Sequence, residues 1–130
     1  MEDLLQWRKK SIDWENIGFG YIPTDKRFVA NYKDGAWDEG GLTEDPNIVM
    51  NECAGVLQYA QTVFEGMKAY TTEDGHIVTF RPDLNAKRMV DSAKRLEMPP
   101  FPEDRFVDAI VQTVKANEAY VPPYGTGATL

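Results

Sequence analysis

Apolar residues along this chain follow two periods. Over 66–71 and 77–80 two β-prone runs flank Glu73, Asp74 and Gly75, a pattern that predicts a β-hairpin. From Pro82 the period lengthens to a helical one, through Leu84, Met89, Ala93 and Leu96. Pro82 suits a first helical turn, so the second strand feeds a helix, which ends by Met98 because Pro99 and Pro100 cannot continue it. A second helix starts near Pro102, with Glu103 and Asp104 where carboxylates favour the helix dipole. Phe106, Val107, Ile110, Val111 and Val114 give it a core-facing stripe.

Upstream the signals are shorter. Residues 27–33, RFVANYK, read as a strand with Phe28 and Ala30 on one side and Val29 and Asn31 on the other. Asp34-Gly35 is a two-residue hairpin turn, and Ala36-Trp37-Asp38 begins the return. Gly40-Gly41 then breaks that strand, and a polar loop precedes the apolar run Ile48-Val49-Met50. IGFGYI, 17–22, reads as an extended segment. Val56, Leu57, Tyr59, Ala60 and Val63 suit a short helix or buried turn. Residues 1–11 form either a helical turn or a loose arm, and 128–130 have β propensity, as if the chain stopped inside a strand. The fold class expected is α+β: an antiparallel or mixed sheet with two packed helices, in a single domain over 1–130.

Composition narrows the function classes. At 130 residues and 42% hydrophobic, the chain can build one modest core. A net charge of −7 argues against nucleic acid or an anionic membrane as partner, since both require clustered Lys and Arg. The longest basic block, Arg8, Lys9 and Lys10, reads as a solvated arm. Cys53 is the only cysteine, which suits a reducing compartment and excludes an internal disulfide. The N-terminus carries acids where a signal peptide has bases, and no run of 18 apolar residues occurs, so a cytoplasmic location is expected. His76, the only histidine, lies in a hairpin turn and reads as a surface residue. No Ser-His-Asp or Cys-His set, dinucleotide fingerprint or phosphate-binding P-loop can be assembled.

Four residues are candidates for binding chemistry. Arg88 presents a fork of N–H donors that matches phosphate oxygens and stays charged at any working pH; on pattern alone it reads as a helix-surface arginine paired with Asp83 or Asp91. Tyr59 and Phe64 lie just before the hairpin and by pattern alone read as core. Phe19 sits in the glycine-flanked segment upstream. Two basic residues are set aside, Arg81 at the strand-helix junction and Lys68 as a strand lysine facing solvent.

LQYAQTVFEGMKAY (57–70), FRPDLNAKRM (80–89) and VPPYGTGATL (121–130) resemble, in order, the N-terminal part of branched-chain amino acid aminotransferases. These are pyridoxal phosphate enzymes of the D-amino acid aminotransferase-like fold, and the similarity runs from about Ile12 to Leu130. The resemblance implies a small N-terminal domain of a homodimeric enzyme that moves an amino group between leucine, isoleucine or valine and 2-oxoglutarate. It places Arg88 on the arginine that binds the cofactor phosphate. Tyr59, Phe64 and, in a weaker motif, Phe19 fall on aromatic walls of the substrate's apolar side-chain pocket, with the tyrosine contributed across the dimer interface. No catalytic residue matches, because the family's Schiff-base lysine belongs to a larger C-terminal domain; these residues alone are expected to be inactive. Gln58 stands where many members have His, and it cannot titrate near neutrality. D-amino acid aminotransferases and aminodeoxychorismate lyases share the fold, but VFEGMKAY and VPPYGTGATL favour the branched-chain group. A free-standing, non-catalytic association domain is the rival of another class.

Overall fold

The computed structural model describes residues 9–130. It is α+β, with two 14-residue helices and three two-stranded antiparallel ladders. A 3-10 turn over Trp14–Asn16 precedes β1 (Arg27–Val29), β2 (Tyr32–Lys33), β3 (Ala36–Trp37) and β4 (Gly41–Thr43). Helix α1 (Gly55–Tyr59) leads to β5 (Ala69–Thr71) and β6 (Ile77–Thr79). The long helices α2 (Pro82–Arg95) and α3 (Glu103–Ala116) follow, then a 3-10 turn over Glu118–Tyr120. The question over residues 1–11 lies outside the described residues up to position 8.

Both expected hairpins form, each with the turn its residues require. Asp34 and Gly35 have φ of 53° and 85°, so both residues of the turn between β2 and β3 take the left-handed conformation that Asp-Gly favours and that suits the right-handed twist of the strands. Five residues, Thr72 to His76, join β5 to β6, with Gly75 at φ 85° and the loop closed by a bond from the Thr72 N–H to the His76 carbonyl at 2.8 Å.

The first hairpin extends further than expected. Gly40-Gly41 was predicted to end the return strand; instead β4 resumes at Gly41 and pairs with β1, Phe28 opposite Leu42 and Val29 opposite Gly41. Between the ladders the pairing slips by one residue, a bulge on the returning strand that interrupts the expected 27–33 strand at Ala30 and Asn31. Asp38 holds the slip, accepting from the Asn31 backbone N–H at 2.9 Å and from its side chain at 3.1 Å. Gly40 takes φ 70° there, and a Cβ would lie 2.8 Å from the Phe28 ring, so glycine is required on two counts. The run at 48–50 forms no regular element, and Ile48, Val49 and Met50 are exposed.

Helix α2 stops where the prolines said it must, by a specific device. The Met98 N–H reaches the Ala93 carbonyl (2.9 Å) and the Glu97 N–H reaches Lys94 (3.1 Å), with Glu97 at φ 53°: a Schellman cap without glycine. Ala86, Val90 and Ala93 of α2 and Ala109 of α3 are buried, and the two helices pack on each other. Of the stripe expected on α3, Val111 is exposed, on a groove shared with β6. Trp37 ties the hairpin to the loop between the helices, donating from Nε1 to the Pro100 carbonyl (3.0 Å) with its ring edge-on to Phe101. Lys9 and Lys10, read as part of a solvated arm, are engaged: Lys9 Nζ donates to the Thr71 hydroxyl and the Glu118 carbonyl, both at 3.3 Å, and Lys10 Nζ lies 3.5 Å from Asp25.

Asn117 fastens the end of α3 to the start of β1. It is 2% exposed; its Oδ1 accepts from the Lys26 N–H (2.9 Å), and its Nδ2 donates to the carbonyls of Lys26 (2.7 Å) and Thr113 (2.8 Å). Asn117→Ala should cost about 1–3 kcal/mol in urea unfolding by leaving buried backbone groups unpaired. Asn117→Asp should cost more, because it turns a carboxylate toward two carbonyls. Wild-type stability in both variants would show that this clip does not hold the ends together.

Candidate functional site: an arginine fixed to a buried carboxylate

The segment leaving α1 runs back along α2. Ala60 ends α1 with φ 51°, Gln61 Nε2 donates to the Leu96 carbonyl at the end of α2 (3.0 Å), and four residues later Glu65 meets the middle of the same helix. Arg88 donates from Nε to Glu65 Oε2 at 2.7 Å and from Nη2 to Glu65 Oε1, a side-on fork. Asn85, one turn earlier on α2, donates to Glu65 Oε1 and to the Gly66 carbonyl, both at 2.9 Å, and the Gly66 N–H adds a bond at 3.1 Å. Glu65 therefore accepts four hydrogen bonds.

Burial separates the two partners. The Glu65 side chain is 4% exposed, whereas that of Arg88 is 66% exposed. The Arg88 fork, joined by Asn85 and the Gly66 N–H, holds the Glu65 carboxyl down to about 2, against an ordinary 4.5. Arg88 thus pairs with a residue 23 positions away, not with the Asp83 or Asp91 that helical spacing offers. Asp83 is taken by Arg81, through Nε at 3.0 Å and Nη2 at 2.7 Å, both side chains exposed.

The aromatic candidates stand outside the core. Phe64 and Tyr59 are 90% and 86% exposed and Phe19 fully so, so the packing reading that pattern alone gave the first two does not hold in this chain. Phe64 directly precedes Glu65, and Tyr59 closes α1, which brings these two to the segment that holds Arg88. Phe19 lies in the stretch between the first 3-10 turn and β1, and among the described residues no hydrogen bond or ring pairing joins it to the others. Gln58 donates to the Glu52 carbonyl (2.7 Å). Lys68, expected as a strand lysine facing solvent, lies just before β5 and not in it; it is exposed on the wall of an open cleft of about 400 Å³ that Gly66, Met67, Tyr70, Phe80 and Asn85 complete. His76 is a surface turn residue, its Nδ1 2.9 Å from Asp74. Among the described residues no three His, Cys, Asp or Glu side chains gather as a metal site, and no helix is long and apolar enough to cross a membrane.

Sequence reasoning passed over Glu65 and Asn85. The signal was a single carboxylate in an otherwise apolar run, TVFEGM, since an acid buried there must find a partner.

Glu65 sets a pH dependence. Its folded pKa lies below its unfolded value, so the pair contributes stability that is fully present above about 4.5 and is lost as pH falls toward about 2. Unfolding free energies of wild type and Glu65→Gln should differ by a constant amount above pH 5 and converge below pH 4.5. A difference that stays flat down to pH 2.5 would remove the pair from the account.

No family model matches the chain. A branched-chain-amino-acid aminotransferase of Haemophilus influenzae is 52% identical over 121 residues, which cover 93% of this chain and 35% of that protein. One from Helicobacter pylori is 44% identical over 93% of the chain and 36% of its own length. A methionine aminotransferase of Arabidopsis thaliana is 43% identical over 90% of the chain and 33% of its length. The chain is thus homologous, over nine-tenths of its residues, to branched-chain-amino-acid aminotransferases, and it spans about a third of their length.

Proposed function

We propose that these residues form the small N-terminal domain of an aminotransferase that moves an amino group between a branched-chain amino acid and 2-oxoglutarate through pyridoxal phosphate. In this reading the enzyme is a cytoplasmic homodimer and the lysine that holds the cofactor lies in a further domain. The observation that carries the reading is the side-on pairing of Arg88 with Glu65, which leaves the arginine exposed and partly unspent. A guanidinium has five N–H donors, and Glu65 uses two of them. What remains is the end-on edge, built from both Nη nitrogens, a second fork of the shape that grips phosphate. Among the residues at hand a phosphate therefore fits at Arg88. When bound, pyridoxal phosphate supplies the electron sink for amino transfer. This chain's part is to hold the phosphate at Arg88 and to line the substrate site.

Phe19, Tyr59 and Phe64 are proposed as that lining. Exposed aromatic faces suit a substrate whose side chain offers only shape and apolar area. The name of the Arabidopsis relative supports a second reading, methionine as amino donor, because a linear thioether fills the same kind of apolar space.

Two experiments on the complete enzyme test the reading. Arg88→Ala should weaken cofactor affinity by roughly 10- to 100-fold, as expected for loss of a charged partner of phosphate, while Arg81→Ala should not. Equal losses would refute the assignment. Phe64→Ala should lower kcat/KM for leucine and isoleucine by roughly 10- to 200-fold. An unchanged preference for branched substrates alongside lower stability would return Phe64 to a packing role.

A further inference from the structure

We infer that Glu65 is a positioning residue for the cofactor phosphate, acting through Arg88; this rests on the reading of Arg88 above and deepens it. A free arginine side chain samples many rotamers, and each must be given up when it grips an anion. Here that ordering is already done. The carboxylate of Glu65 is fixed by Asn85 Nδ2 and the Gly66 N–H, and it holds Arg88 by Nε and Nη2. Of the two forks a guanidinium offers, only the end-on edge remains, so it points in one direction when the phosphate arrives.

The pairing has an opposing effect. A carboxylate beside the arginine cancels part of its charge, which weakens its pull on a dianionic phosphate. Orientation and neutralisation thus predict opposite signs for loss of Glu65. Burial decides between them. The Glu65 side chain is only 4% exposed and accepts four hydrogen bonds, so a swing of Arg88 away from it would strip a buried carboxylate of two donors; the arginine is held, not merely shielded. The contrast is Arg81, which makes the same side-on fork to Asp83, but with a partner whose side chain is itself 60% exposed.

The test uses the complete enzyme, stripped of cofactor, and measures equilibrium binding of pyridoxal phosphate, of pyridoxal and of inorganic phosphate. Glu65→Ala should weaken pyridoxal phosphate and inorganic phosphate binding by about tenfold, the scale of one charge-assisted hydrogen bond, and leave pyridoxal, which lacks the phosphate, unchanged. Glu65→Gln keeps an acceptor for Nε and should fall between wild type and Glu65→Ala. Asp83→Ala should change none of the three. Combining Glu65→Ala with Arg88→Ala should cost no more than Arg88→Ala alone, because one residue acts through the other. Tighter phosphate binding in Glu65→Ala would overturn the proposal in favour of neutralisation. Equal weakening of pyridoxal and pyridoxal phosphate would reduce Glu65 to a structural role. If Arg88→Ala itself leaves phosphate binding intact, the reading of Arg88 fails first, and the two failures are distinct.

Discussion

The chain's architecture around the candidate site depends on one carboxylate held in a nearly dry position. Glu65 is reached by donors from its own neighbour, from Asn85 and from Arg88, so the segment after α1 cannot shift along α2 without breaking several bonds at once. Breaking a fully buried ion pair by removing one partner costs about 3–5 kcal/mol. Arg88 is two-thirds exposed, and solvent screening places this pair below that range. Its value lies in register: Gln61 is pinned at Leu96 and Glu65 at Arg88, so the antiparallel run of the segment on the helix is fixed at both ends.

That register carries into the second hairpin. Three residues after Gly66 the chain becomes β5, where Ala69 is buried and pairs with Thr79 on one side. On its other side Ala69 exchanges both backbone bonds with Leu130, N–H to carbonyl at 2.9 Å and the reverse at 3.3 Å, the pattern of an antiparallel pair. The β propensity of 128–130 thus has a partner in the same structure. Strand, segment and helix share one line of constraint, and the candidate residues Tyr59, Phe64 and Arg88 all lie along it.

Much of the fold was legible because its signals are local. Asp34-Gly35, the turn at 73–75, Pro82 and the Pro99-Pro100 stop act on their immediate neighbours, and both hairpin turns and both long helices formed where they put them, although the strand expected over 66–71 begins only at Ala69. The bulge at 38–40 was not legible. Gly40-Gly41 has the composition of a strand break, and whether a glycine ends a strand or kinks it depends on what lies opposite, here the Phe28 ring. Burial of the aromatics failed for a similar reason. Pattern says that Phe64 and Tyr59 are apolar; only the packed chain shows that the core is filled by Ala69, Ala86, Ala93, Ala109 and the valines Val90 and Val121, leaving the rings outside.

The two arginines show the same limit at the site itself. Arg81 and Asp83 are near neighbours, brought together by the left-handed turn at Arg81 (φ 48°) that starts α2; Glu65 and Arg88 are 23 apart, and no local rule connects them. Yet the geometry of the two forks is the same, Nε and Nη2 on one carboxylate. What differs is the anchor. Asp83 sits on the first turn of α2 in solvent, where water competes for every donor. The Glu65 side chain is almost fully covered, so water competes less for its hold on Arg88. An arginine's capacity to present a second fork in a fixed direction therefore comes from the burial of its partner, a property of the fold that no reading of the arginine's own sequence neighbours contains.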